Sequence, residues 1–344
     1  MTGGSASLRP SWWRRHGRLL CLGVGLALLC TMVWAAGPRL LWQQLLGLRW
    51  WLAATVAVWG VGYVLNAAAW ALIVGVYPLR QSLSAWRLLR LTVTGFAINY
   101  VTPFGLLGGE PYRVVALRRY LGLEAATSSV VLYLMMHVTS HLLFWIGSCL
   151  LAALTLGGLS APVAWCLWLA SAACLAGLWL FLRGYRRGAV RSAVRLAERC
   201  PWAGRRVGAW RMHHAAQLER IDGGIASLLG HHRARFAGSL ALEVASRVVN
   251  CAEVWLLMAA LGMPVGYGDA VLVVALSSLL ANLLFFAPLQ MGTREGGILL
   301  ALQLIRPEMG LGVLMPLAVA VSLATRIREF VWIAIGLGSF SKKS

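Results

Sequence analysis

The chain has 344 residues, of which 60% are hydrophobic and 12% charged, against about 25% charged in ordinary globular chains. Its 31 basic residues face 11 acidic ones, a formal charge of +20. On a soluble domain that surplus would point to nucleic acid, but the hydropathy excludes a soluble domain and places the charge in cytoplasmic loops, where Arg and Lys set orientation and meet anionic lipid headgroups.

A bilayer core takes about 20 apolar residues as helix, and backbone groups in lipid must be satisfied internally, so each long apolar run is predicted to be a helix. In chain order the complete runs lie near 19–36, 50–77, 126–156, 162–182, 236–262 and 309–338. The first follows Arg14, Arg15 and Arg18 and reads as a signal anchor rather than a cleaved leader, because it is long enough to span. Two further segments, near 88–104 and 270–287, each run into a Pro and Gly-containing break before a second short helical stretch. The expected fold is all-α: a polytopic helical membrane protein with six to eight transmembrane helices and two Pro/Gly-broken, re-entrant helical hairpins in inverted repeats. Residues 1–344 are expected to form a single integral membrane domain. Ordinary interfacial loops between complete spans are the structural alternative at the two breaks.

The arginines give the topology. Arg80, Arg87, Arg90, Arg113, Arg118 and Arg119 surround the first broken segment, and the 183–235 loop carries Arg186, Arg187, Arg191, Arg195, Arg199, Arg205, Arg206, Arg211 and Arg220. Lys342 and Lys343 close the chain. Both termini and the 183–235 loop are therefore expected to be cytoplasmic. The loop suits a pair of amphipathic helices on an anionic leaflet, or a solvated topology signal. The connectors near 37–47, 157–162 and 262–269 carry almost no basic residues and are expected outside.

The first break reads Asn99-Tyr100-Val101-Thr102-Pro103-Phe104-Gly105-Leu106-Leu107-Gly108-Gly109-Glu110-Pro111-Tyr112-Arg113. Pro103 removes a helix donor, the glycines relax the backbone, and Pro111 suits the first turn of a new helix. The second reads Pro288-Leu289-Gln290-Met291-Gly292-Thr293-Arg294-Glu295. Seven positions separate proline from glutamate in both, and Asn99 and Asn282 precede their prolines. Broken helices in corresponding halves of a membrane protein point to a transport site, because unwound backbone at membrane depth is tolerated only where it lines a cavity.

Charges inside apolar runs add to a polar interior. Glu243, Arg247 and Asn250 share one helical face, and Arg326 and Glu329 lie one turn apart. Each costs on the order of 3 kcal/mol at a lipid-exposed helix centre, so they must face protein or water. Glu243 and Arg247 read either as site residues or as a structural pair. His137 and His141 have zinc-ligand spacing without a third ligand and read as packed or cavity-lining. The seven cysteines show no CxxC spacing, so no disulfide framework, metal or cofactor is expected.

The stretch from Thr102 to Arg113, together with that from Pro288 to Gly296, resembles the lysylphosphatidylglycerol synthetase transmembrane-region family of flippase-like integral membrane proteins. The resemblance covers essentially the whole chain. The family includes the membrane part of the multiple peptide resistance factor and relatives implicated in hopanoid and polyprenyl-linked lipid handling. What the resemblance implies is lipid translocation across a bacterial inner membrane, with Glu110, Arg113, Arg294 and Glu295 matching the family motifs. His137 and His141 stand where many members carry charged residues.

No aminoacyl-transferase domain is expected after the last span, and no P-loop appears, so neither catalysis nor ATP-driven transport within the chain is expected. The candidate substrate-binding or coupling residues are Asn99, Pro103, Gly108, Gly109, Glu110, Arg113, Glu243, Arg247, Pro288, Gly292, Arg294, Glu295, Arg326 and Glu329. The expected partners are a membrane lipid (phospholipid, hopanoid or polyprenyl phosphate) in a central polar cavity, and anionic headgroups at the basic loop. The alternatives are a membrane-embedded transferase with Glu110 or Glu295 as general base, and a scaffold recruiting a partner through the basic loop.

Overall fold

The structure, a computed structural model, describes residues 30–35, 37–101, 108–156, 161–199, 204–284, 290 and 292–341. Pro103, Pro288, most of the first apolar run and the lysine pair lie outside these residues. The named elements are all helices: α1 (Pro38–Gly47), α2 (Arg49–Val74), α3 (Ala85–Val101), α4 (Gly109–Leu121), α5 (Leu123–Thr155), α6 (Ala161–Arg187), α7 (Ala189–Glu198), α8 (Gly204–His213), α9 (Ala215–His231), α10 (Arg233–Asn250), α11 (Ala252–Ala260), α12 (Tyr267–Leu283), α13 (Thr293–Ile305) and α14 (Leu311–Ser341).

Among the described residues, α2, α5, α6 and α14 are long and apolar enough to cross a membrane, and α12 is a shorter apolar helix. The run expected as a span near 236–262 appears instead as α10 and α11, which meet at Cys251 with its backbone still right-handed helical. Glu243 and Arg247 of α10 are turned to α5 rather than to lipid, where each would be costly. The connector near 37–47 is itself a helix, opened by Pro38 in its first turn, where a missing N–H costs nothing.

The chain divides into two compact units: Leu52–Glu253 with Arg326–Ser344, and Met1–Trp51 with Val254–Thr325. In the larger unit, Trp70, Ile73, Leu88, Leu117, Leu132, Met136, Ile221 and Ile225 form a buried core shared by α2, α3, α4, α5 and α9. Lipid is as apolar as these side chains, so packing, not water exclusion, holds such helices together, and small residues mark the close crossings. A Cβ on Gly109 would stand 2.2 Å from the Gly95 carbonyl oxygen, and one on Gly336 would stand 2.6 Å from Ala97 Cβ. Thr94 Oγ1 donates to the Gly336 carbonyl at 3.1 Å across the second crossing.

Among the described residues, the basic segment holds α7, α8 and α9 where a pair of helices is expected from the sequence. On α9, Leu218, Ile221 and Ile225 are buried, and Ser128 of α5 donates to the Ile221 carbonyl at 3.2 Å. Buried Asp222 accepts the Val190 and Arg191 backbone N–H groups at 2.9 and 3.1 Å and Arg191 Nε at 3.1 Å. A carboxylate thereby serves the exposed amides and the positive dipole end of α7. On α6, Trp165, Trp168, Leu169, Leu175 and Trp179 are exposed, as suits a helix whose neighbour is lipid.

In the smaller unit, α12 and α13 pack as a tight hairpin: a Cβ on Gly297 would lie 2.6 Å from Ser277 Cα. Leu41 of α1 packs with Val319 and Ala320 of α14.

Candidate functional site

The larger unit buries three groups of polar side chains in otherwise apolar surroundings. The first lies where α3 ends and α4 begins. Asn99 Oδ1 accepts the Gly109 N–H at 2.7 Å, and Asn99 Nδ2 donates to Glu110 Oε1 at 3.0 Å. Arg113, one turn on, reaches the same Oε1 at 3.4 Å and donates to the Thr92 carbonyl at 3.1 Å. Its guanidinium lies 5.7 Å from the Trp70 ring centre and 5.3 Å from that of Tyr133, within cation–π range. Glycine is required at position 95 as well, since a Cβ there would meet Arg113 Nε at 2.3 Å. Gly108 caps α4. Asn99, Gly108, Gly109, Glu110 and Arg113 are thus brought together, as the motif spacing predicts.

The second group joins α5 to α10. Glu243, 1% exposed, lies 2.8 Å from His137 Nδ1. Arg247 donates to Ser140 Oγ through Nε and to the His137 carbonyl through Nη2, both at 2.7 Å, while Nη1 lies 2.8 Å from His141 Nε2. Glu243 and Arg247 make no ion pair with one another; each uses α5. The two histidines are their partners rather than mere packing. The Tyr133 hydroxyl stands beside Glu243, linking this group to the ring beneath Arg113.

The third group involves residues that the sequence reading did not single out. Arg328, 2% exposed, donates to both oxygens of Glu253, each at 2.8 Å. Its guanidinium lies 3.8 Å from the centre of the Trp59 ring, and Trp59 Nε1 donates to Glu253 Oε2 at 2.7 Å. Glu329 adds a contact to Arg328 at 3.8 Å and accepts a short hydrogen bond from the Tyr100 hydroxyl. A bidentate pair of this kind is what lets two charges leave water, although Arg328 Nη1 has no hydrogen-bond partner among the described residues. Arg326 is partly buried on the same helix. Glu253 could have been found one turn beyond Asn250 on the face that carries Glu243 and Arg247; Arg328 adjoins Glu329.

In the smaller unit, Glu295 is fully buried. Its Oε2 accepts the Gly292 N–H at 2.8 Å and its Oε1 accepts Ser322 Oγ–H at 2.6 Å. It therefore closes the first turn of α13, with Gly292 at a φ of 79° that favours glycine. Arg294 donates to Gln290 Oε1 at 2.9 Å and to Thr325 Oγ1 at 3.3 Å. Asn282 donates to the Ser278 carbonyl of its own helix, a role different from that of Asn99. Among the described residues no group of three or more His, Cys, Asp or Glu side chains is placed to hold a metal ion.

Long apolar helices with mutually bonded carboxylates and guanidiniums in their interior define a polytopic helical membrane protein with a polar core. The chain belongs to the lysylphosphatidylglycerol synthase TM region family, which matches residues 18–338, and is thus a membrane-embedded protein related to lipid handling. No curated protein and no solved structure matches it.

Proposed function

We propose that the protein is a flippase-like transporter that moves an anionic or polyprenyl-linked lipid across the bacterial inner membrane, with both termini and the α7–α9 segment in the cytoplasm. The observation that carries the reading is the Glu110–Arg113 group at the start of α4. Among the described residues, the buried Glu110 Oε2 and Arg113 Nε have no hydrogen-bond partner. Leaving such atoms unsatisfied costs about 1–3 kcal/mol each, more for charged groups, so a resting site of this kind favours a state in which a polar ligand completes it. A lipid phosphate would take charge-assisted hydrogen bonds from Arg113, and Glu110 would hold a cationic headgroup moiety or a proton.

The basic balance of the chain supports an anionic lipid, since clustered arginines near a membrane surface attract anionic headgroups. The family match supports lipid as the cargo class. Neither the transferase nor the scaffold reading draws comparable support from the geometry. Mass spectrometry of lipids co-purifying with the protein tests the cargo class: an enriched phospholipid or polyprenyl phosphate, depleted in Arg113→Gln, is expected. A lipid profile identical to the bulk membrane in both proteins contradicts it.

A further inference from the structure

The His137–Glu243 pair places a proton acceptor in front of a sealed carboxylate. Glu243 is 1% exposed, whereas the His137 side chain is 39% exposed, and 2.8 Å separates Glu243 Oε2 from His137 Nδ1. With the carboxylate accepting from Nδ1–H, the lone pair of neutral His137 sits on Nε2, the nitrogen that can take a proton.

Among the described residues no cation takes that carboxylate from His137, and its other neighbour is the neutral Tyr133 hydroxyl. Arg247 is held by Ser140, the His137 carbonyl and the His141 ring. Tyr133 lies on the same helix between Glu243 and the Arg113 guanidinium. On α4, Glu110 is held by Asn99 and Arg113, and among the described residues of the other helices packed on α5, Arg220 of α9 pairs with Glu124, Asp222 serves the start of α7, and the thiol of Cys174 on α6 stands beside Cys149. Positions 124 and 149 are each more than three helical turns from 137. With neutral His137, Glu243 and Arg247 sum to no net charge; one proton on His137 makes the cluster singly positive.

We propose that His137 and Glu243 form a proton-binding site that couples lipid movement to the proton gradient, one proton crossing with one anionic lipid. The proton bonds to the Nε2 lone pair, and the imidazolium stays paired with Glu243. The resulting single positive charge then balances one lipid phosphate, so the loaded protein carries no extra charge through the low-dielectric core. The proton leaves from Nε2 on the opposite side with the lipid. This coupling rests on the transport reading above.

The test uses full-length protein in vesicles of phosphatidylcholine with a trace of labelled phosphatidylglycerol. For one proton per singly charged lipid, a gradient of about one pH unit sets a steady-state transbilayer ratio of about tenfold, and an imposed membrane potential leaves it unchanged. His137→Gln and Glu243→Gln should each hold the ratio at unity under the same gradient, while His213→Gln, an exposed residue of α8, should keep it. A wild-type protein that moves the lipid but ignores the gradient overturns the coupling and leaves the transport reading intact. So does a folded His137→Gln protein that still follows the gradient. A wild-type protein that moves no lipid overturns both.

Discussion

Asn99 joins the end of α3 to the start of α4, accepting from the Gly109 N–H and donating to Glu110 through the two ends of one amide. Replacing it by Ala orphans a helix-terminal donor and weakens the hold on a buried carboxylate. The expected loss is about 1–3 kcal/mol, read as a lower unfolding temperature in detergent. An unchanged midpoint would show that water substitutes for the amide.

The Glu253–Arg328 pair is expected to behave as a buried ion pair whose members depend on each other. Arg328→Met alone strands a carboxylate and should cost about 3–5 kcal/mol. Adding Glu253→Gln removes the stranded charge while keeping an acceptor for Trp59, and should restore most of that loss. Additive losses in the double-mutant cycle would mean that the two side chains act independently.

Two adjacent glycines of α13 should respond in opposite directions. A Cβ on Gly296 meets nothing within 4 Å, so Gly296→Ala should stabilise by about 0.5–1 kcal/mol through lower backbone entropy in the unfolded chain. On Gly297 it meets the Ser277 backbone at 2.6 Å, and overpacking there should cost about 1–3 kcal/mol. Equal midpoints for the two variants would contradict the tight α12–α13 crossing.

Much of this was legible in the sequence for a physical reason: apolar runs of bilayer length have few options but helix. The first motif was equally legible, because Asn99, Gly109, Glu110 and Arg113 lie within one helical restart. The partners of Glu243 and Arg328 were not, since helical periodicity says which residues share a face but not which helix that face meets. Equal spacing also misled at the second motif. Glu110 is the second residue of its helix and bonds Asn99, whereas Glu295 is the third and bonds back to the Gly292 N–H at the cap. One residue of register separates a side chain shared between helices from one that closes its own.

The orientation has its own test. With the native cysteines removed, Met212→Cys on α8 and Pro264→Cys between α11 and α12, both exposed positions, should react with a membrane-impermeant thiol reagent from opposite sides. Met212→Cys is expected to react from the cytoplasm. Reaction of both from one side would contradict the topology drawn from the arginines.

The most direct measurement is the rate at which labelled phosphatidylglycerol changes leaflet in vesicles holding the wild-type protein or Glu110→Gln, which keeps the size of the side chain and removes its charge. The account expects the wild-type rate to exceed that of protein-free vesicles. Glu110→Gln should fall about tenfold or more, the loss that follows when about 1.4 kcal/mol of transition-state interaction is removed. Equal rates in the wild-type and Glu110→Gln vesicles would contradict the role given to the buried carboxylate, and a wild-type rate no faster than bare lipid would contradict transport itself.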